Sequence, residues 1–129
     1  ARQAGIPRRL ARVIDVDKAR SPTLGAPDAE DVFVTAAADI RRIRTARGLA
    51  KKLTLLDKMG RLREGPFMVI EFDTPWNLFA ARQRGIATPV FRSNPGFVGR
   101  GFTAGGAREF VIPNFSIEEL SNVTRRIVK

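Results

Sequence analysis

The stretch PFMVIEFDTP, residues 66–75, constrains the fold more than any other part of the chain. Its apolar, aromatic and β-branched residues lie between two prolines, which cannot continue a hydrogen-bonded ladder, so Phe67–Phe72 is predicted as a strand. A lone strand leaves its backbone donors and acceptors unmet, and the rest of the chain must therefore supply neighbours. Ile70 and Phe72 fall on one face, and Glu71 and Asp73 on the other. That second pair reads as ion-paired residues of a solvent face in preference to a catalytic pair of carboxylates.

Candidate neighbours are easy to find. LARVIDVD, Leu10 to Asp17, alternates apolar and polar residues and is predicted as a short strand, with Arg12 on the face opposite Val13 or at the strand's start. The following KARSPTLGAPDAED, with two prolines and a glycine, is a loop. A further strand over Val32–Thr35 is expected to pass directly into one long helix, because Ile40, Ile43, Ala46, Ala50 and Leu53 recur at helical spacing. Arg41, Arg44, Lys51 and Lys52 would form that helix's basic outer face. DKMGRLREG is a turn region, Val90 and Phe91 mark another short strand, and REFVIPN is a strand broken by Pro113. Trp76 and Phe79 beside the central strand read as core. Ser116 is expected to cap a closing helix with Glu119 as its capping-box partner. Strands and helices of this kind predict an α+β domain with a small mixed or antiparallel sheet and an early long helix.

At 129 residues the chain is expected to be one domain, 1–129, able to bury its own core. Its start, ARQAGIPRRL, has neither an initiator methionine nor a signal-peptide pattern, so the chain reads as a module of something longer, with residues 1–9 as linker. No apolar run approaches the roughly 20 residues of a spanning helix, and no membrane segment is expected.

Composition prunes the chemistry. There is no cysteine, histidine or tyrosine, so disulfides, thiolate metal sites, serine triads and histidine-dependent ribonucleases are excluded, and no metal site is expected. What remains is the chemistry of Asp, Glu, Ser, Thr, Lys and Arg. The formal net charge of +10 points to a polyanionic partner: a nucleic acid, a nucleotide, an acidic protein face or the ribosome. Solubility alone would also account for it.

Within that inventory, RGFTAGGAREFVIPNF, residues 100–115, stands out. Gly96, Gly99, Gly101, Gly105 and Gly106 leave the backbone free to approach a ligand closely or to move. Glu109 then opens a strand, with Phe110 and Ile112 on one face and Glu109 and Val111 on the other. It is either a cleft carboxylate or an exposed edge carboxylate paired with Arg108 or a neighbouring arginine. The glycines are no dinucleotide fingerprint, since they lead into a strand and not a helix, and no phosphate-binding Gly-Lys-Ser/Thr occurs.

An arginine on a first strand, a strand ending in a hydroxyl residue and running into a helix, and a glycine-rich loop feeding a strand-borne glutamate together resemble the bacterial ADP-ribosyltransferase toxins of the cholera-toxin-like branch. ARVID offers Arg12, VFVTAAAD offers Thr35 where that branch has a serine motif, and GGAREF offers Glu109. SPTLGAPDAEDVFVTAAADI, NPGFVGRG and GGAREFVIPN are also similar to C-terminal toxin modules of Rhs-type polymorphic effectors that modify translation components such as elongation factor Tu. The Glu or Gln that arginine-specific members carry two residues before the catalytic glutamate is Ala107 here.

The resemblance implies an ADP-ribosyltransferase-like fold and NAD as the substrate. Glu109 would stabilise the oxocarbenium formed as the nicotinamide glycosidic bond breaks. Arg12 would hold the pyrophosphate by its guanidinium fork, unless it is one more surface arginine beside Arg8 and Arg9. Thr35 would orient the ribose or brace the glutamate, unless it only packs or caps the next helix. Gly99, Arg100, Gly101, Phe102 and Thr103 would recognise the target. It further implies delivery into the cytoplasm of a target bacterium, a protein target in translation, elongation factor Tu foremost, and an acidic immunity protein in the producer. Two other readings stay open: a metal-independent ribonuclease toxin, and a non-enzymatic module that binds RNA or the ribosome.

Overall fold

The computed structural model describes residues 7–18, 20–29, 31–75, 103 and 105–129. The expected strand around Val90 and Phe91, Trp76, Phe79 and Gly96 lie outside these residues. Five strands form one sheet: β1 (Arg9–Asp15), β2 (Asp31–Ala36), β3 (Phe67–Asp73), β4 (Glu109–Pro113) and β5 (Thr124–Val128), in the order β4-β2-β1-β3-β5. Every pairing is antiparallel. Two short helices, α1 (Ala37–Ile40) and α2 (Ala46–Leu53), follow β2. The class is α+β, as expected.

The sheet is covered on both faces. Leu10, Val34, Ile70, Phe72, Phe110 and Ile112 pack on one side with Leu24 from the loop after β1. Residues 115–123, through Phe115, Ile117, Leu120 and Val123, close that side. On the other side Ala11, Phe67, Val69 and Val128 meet Ile40, Ala46, Leu49, Ala50 and Leu53 of the helices. Burial of both faces explains why Phe67–Phe72 carries so little polar character.

Glu71 and Asp73 do form ion pairs: Arg9 Nε lies 3.5 Å and Arg41 Nη2 3.6 Å from Glu71, and Arg9 Nη1 lies 2.9 Å from Asp73. Their face is nonetheless a core face further along the strand, where Phe67 and Val69 are buried.

The single long helix is not formed. After α1 the chain turns, and Thr45 starts a second helix by accepting the Gly48 N–H at 3.0 Å. The carbonyls of Ile40 and Ile43 are taken by Arg126 of β5, both at 2.9 Å, and Ala46 N–H donates to the Lys129 carbonyl. Tertiary partners thus replace the bonds a continuous helix would make. The apolar stripe stays in phase across the break, with Ile40, Ala46, Ala50 and Leu53 all buried, so periodicity alone could not reveal the turn.

The chain end differs too. Ile117–Glu119 is a single 3₁₀ turn, and Ser116 makes no side-chain capping bond to it. The residues beyond form β5, which pairs with β3 from Phe67↔Val128 to Glu71↔Thr124. Thr124, Arg125 and Ile127 are exposed, Arg126 is half-buried and Val128 alone is buried, as an edge strand permits. That pattern hid it from a search for apolar alternation.

Phe72, fully buried between β1 and the covering segment, is expected to cost about 3–5 kcal/mol on replacement by alanine. Ile127→Thr, at a side chain 54% exposed on β5, is expected to stay within about 0.5 kcal/mol. Urea unfolding of both variants measures the contrast.

Candidate functional site

The sheet register places three residues in one row. Ala11 of β1 pairs with Thr35 of β2, and Thr35 pairs with Glu109 of β4, so their side chains share the face that carries α2. Beyond this row the β1–β2 ladder has no further pairs, although β1 continues to pair with β3 as far as Asp15. Arg12 occupies the position where the ladder stops. Its Nη1 donates to the Phe33 carbonyl of β2 at 3.0 Å and its Nε to the Leu24 carbonyl at 3.2 Å. A side chain therefore spans the two strands where backbone no longer does.

A cavity of about 300 Å³ opens at this point, with Arg12, Thr35 and Glu109 all in its lining. Thr54, Leu55 and Leu56 from the end of α2 and Arg63 from the following turn complete it. Three sequence candidates from three separate segments thus meet. Of the expected recognition loop, Gly99, Arg100, Gly101 and Phe102 lie outside the described residues. Thr103 is 1% exposed, and its hydroxyl donates to the Lys52 carbonyl at 2.6 Å and accepts from Ala107 N–H at 3.1 Å. It anchors the segment inside the fold.

Gly105 shows what the glycines do at this end. A Cβ there would sit 2.3 Å from the Lys51 carbonyl oxygen and 2.4 Å from that of Lys52. The backbone just before Glu109 is thereby docked on the last turn of α2, where helix carbonyls lack intrahelical partners. The close approach that glycine permits is to the protein's own helix.

Glu109 is 8% exposed, and its Oε2 has no hydrogen-bond partner among the described residues. Burial pushes the carboxyl up from its ordinary 4.5 to about 7, because a desolvated carboxylate is disfavoured against its neutral form. The alternative of an edge carboxylate paired with Arg108 is not what the structure shows. Arg108 is bound to Asp39 of α1, with Nε to Oδ2 and Nη2 to Oδ1 both at 2.9 Å.

Asp39 is the neighbour of the site that sequence reasoning missed. Its Oδ2 also accepts the Arg108 backbone N–H at 2.9 Å, while the Arg108 carbonyl accepts from Thr35 Oγ1 at 2.6 Å. The residue preceding Glu109 is held at both ends of its backbone. Burial works to raise the Asp39 carboxyl, but the Arg108 hydrogen bonds outweigh it and hold the group below the usual carboxylate range. Thr35 is accordingly a brace: Ala36, not Thr35, precedes α1 as its cap residue. No pattern in ADIRRIR or GAREF pairs Asp39 with Arg108, since 69 residues separate them.

Two guanidinium groups reach the cavity, and they differ. Arg63 is ion-paired with Asp15 and lies 5.5 Å from the Phe67 ring centroid. Arg12 has no carboxylate partner in the ion pairs of the described residues. Burial, and secondly the nearby Arg63 charge, lower its pKa, the expected direction for a desolvated cation beside a like charge. Among the described residues no group of three or more metal-ligating side chains comes together. No helix among them is long and apolar enough to cross a membrane.

A family model described as Novel toxin 10 matches residues 2–129. No curated protein and no solved structure matches the chain.

The raised Glu109 carboxyl makes a stability prediction with a definite sign. Between pH 4.5 and about 7 the folded state keeps a proton that the unfolded chain has released, so this group's contribution falls as pH rises through that window. Glu109→Gln carries no such charge. The variant is expected to match the parent near pH 4.5 and to exceed it by about 1–3 kcal/mol at pH 8, a melting-temperature gain of several degrees in paired thermal scans. Equal melting temperatures at both pH values would mean that the carboxylate is solvated.

Proposed function

The chain belongs to the Novel toxin 10 family, and from that premise we propose that it is an ADP-ribosyltransferase toxin domain that takes NAD as its substrate. The observation that carries this reading is the row Ala11, Thr35, Glu109, beside Arg12, in one cavity with a buried carboxylate oxygen that no group among the described residues satisfies. An orphaned carboxylate is a costly thing to keep unless a cation forms beside it.

NAD supplies such a charge. As the bond between the ribose C1′ and the nicotinamide nitrogen breaks, its electron pair goes to the ring, which leaves neutral, and the ribose becomes an oxocarbenium. A fixed carboxylate in a desolvated cavity stabilises that ion more than it stabilises the ground state. A nucleophile of the target then bonds to C1′ and gives up its proton. The cavity volume, about 300 Å³, suits the reacting end of the dinucleotide more than the whole of it. Arg12 uses Nε and Nη1 on backbone carbonyls, which fixes its plane and leaves Nη2 for a pyrophosphate oxygen. Thr35 and Asp39 do not touch substrate in this scheme; they set the Arg108 backbone and so the carboxylate that follows it.

Element order supports the ADP-ribosyltransferase-like reading of the fold: an arginine-bearing strand, a threonine-bearing strand, then a glutamate opening a later strand that pairs with the second. On this reading the domain acts in the cytoplasm of a competing bacterium after delivery as the C-terminal part of an Rhs-type effector. Its target is a translation component, elongation factor Tu foremost. An acidic immunity protein would protect the producer, its capture speeded by the charge of +10. The same charge favours one other reading, a metal-independent ribonuclease acting through Glu109.

The test is transfer of labelled ADP-ribose from NAD to proteins of a bacterial extract. Glu109→Gln is expected to lose at least ~10²-fold in transfer while NAD binding changes far less. The kcat/KM of the parent should rise with pH and level off above about 7, since the ionised carboxylate is the active form and kcat/KM reports the free enzyme. Arg12→Lys should retain part of the activity that Arg12→Ala loses. Undiminished transfer by Glu109→Gln overturns the reading, and RNA cleavage without added NAD replaces it with the ribonuclease.

A further inference from the structure

Arg12 reaches a second cavity, of about 470 Å³, which shares only this residue with the lining of the first. It is formed by the end of β1 and the loop that follows, and its lining is chemically lopsided. Arg12, Lys18 and Arg20 bring three cations and Asp17 one carboxylate, while Ser21 adds a hydroxyl. Ile14, Leu24 and Pro27 supply apolar surface beside them.

The loop that walls this cavity is held in shape by bonds that nothing in the sheet requires. Asn114, just past β4, accepts the Gly25 N–H at 2.8 Å and donates to the carbonyls of Ala26 at 2.7 Å and Ala29 at 3.0 Å. Thr23 and Ser21 both donate to the Gly25 carbonyl, at 2.7 and 3.2 Å. Gly25 itself allows the loop to seat against β2, since a Cβ there would lie 2.3 Å from Val32 Cγ1. Leu24, through its carbonyl, ties the loop to Arg12 Nε. A rim built this way is preorganised for a ligand, with the ordering already done before one arrives.

We propose that this second cavity binds the phosphate of a mononucleotide unit, with the attached nucleoside lying over Ile14, Leu24 and Pro27. Three cations around a concave wall suit a phosphomonoester or phosphodiester oxygen set. The volume is far larger than a bare phosphate needs and lies within the range of small-ligand sites. The inference does not rest on NAD as the substrate, because it uses the loop side of β1 and not Glu109. If NAD is the substrate, the shared Arg12 joins the two cavities.

Titration calorimetry of the full chain with AMP tests it, with adenosine, inorganic phosphate and a 5′-phosphorylated RNA trinucleotide as comparison probes. AMP is expected to bind more tightly than either of its parts, because phosphate leaves the apolar wall unused and adenosine leaves the cations unused. The trinucleotide is expected to bind no more tightly than AMP. The double variant Lys18→Glu with Arg20→Glu changes two exposed side chains and should weaken AMP at least ~10-fold, with the melting temperature retained. Glu109→Gln, which removes only the carboxylate of the other cavity, should bind AMP as the parent does. Failure of the transferase reading would appear as lost or absent transfer with AMP binding intact. The second site is overturned if AMP binds no better than phosphate, if the double variant binds AMP as the parent does, or if Glu109→Gln abolishes AMP binding. Tighter binding of the trinucleotide overturns it in favour of an RNA end.

Discussion

Where β1 and β2 stop pairing, one arginine side chain takes over, and the usable space of the molecule follows from that exchange. A continuous ladder would go on to pair Arg12 with Val34 and Val13 with Phe33 and close the sheet there. The Arg12 guanidinium instead donates to carbonyls of Phe33 and Leu24, holding β2 and the loop after β1 at a side chain's length. One cavity opens beside it toward α2 and the other toward the loop. A lysine could not do the same, because its single ammonium cannot serve two fixed carbonyls and still present a flat edge to a third acceptor.

Much of this was legible in the sequence, though unevenly. The strand content of PFMVIEFDTP and the alternation that puts Phe110 and Ile112 opposite Glu109 are period-two signals, and the structure buries Phe110 and Ile112 on the expected shared face. Glu109 stands out in the sequence as the carboxylate that opens a strand, the resemblance adds Arg12 and Thr35, and all three line one cavity. What stayed hidden depends on long-range partners. The break between α1 and α2 is caused by Arg126 and Lys129, more than 80 residues away from the carbonyls and amide they meet. Strand β5 carries exposed polar residues because it lies at an edge, so its sequence reads as polar and helical. Gly105 was expected to free the backbone, whereas it lets two backbone segments touch.

The site also sets stability against chemistry. Glu109 sits in a fold whose two faces are otherwise apolar clusters, and its carboxyl is pushed up to about 7 by burial. At neutral pH the fold therefore bears a group poised between its two forms. An apolar residue at this position would neither desolvate a charge nor leave an oxygen without a donor among the described residues. A positive charge forming in the cavity would offset that cost.

Arg108 is the obvious residue to neutralise that carboxylate, being adjacent in sequence and cationic. Alternation sends neighbouring side chains of a strand to opposite faces, and Asp39 completes the separation by engaging Arg108 through both carboxylate oxygens. The pairing has two effects at once. It keeps the adjacent cation off Glu109, whose pKa is raised by burial, and through the Arg108 N–H it secures the strand start that carries the carboxylate. Thr35 fixes the other end of the same residue. The brace and the isolation of the charge are thus one arrangement, in which a salt bridge matters less for the energy it adds than for the partner it withholds.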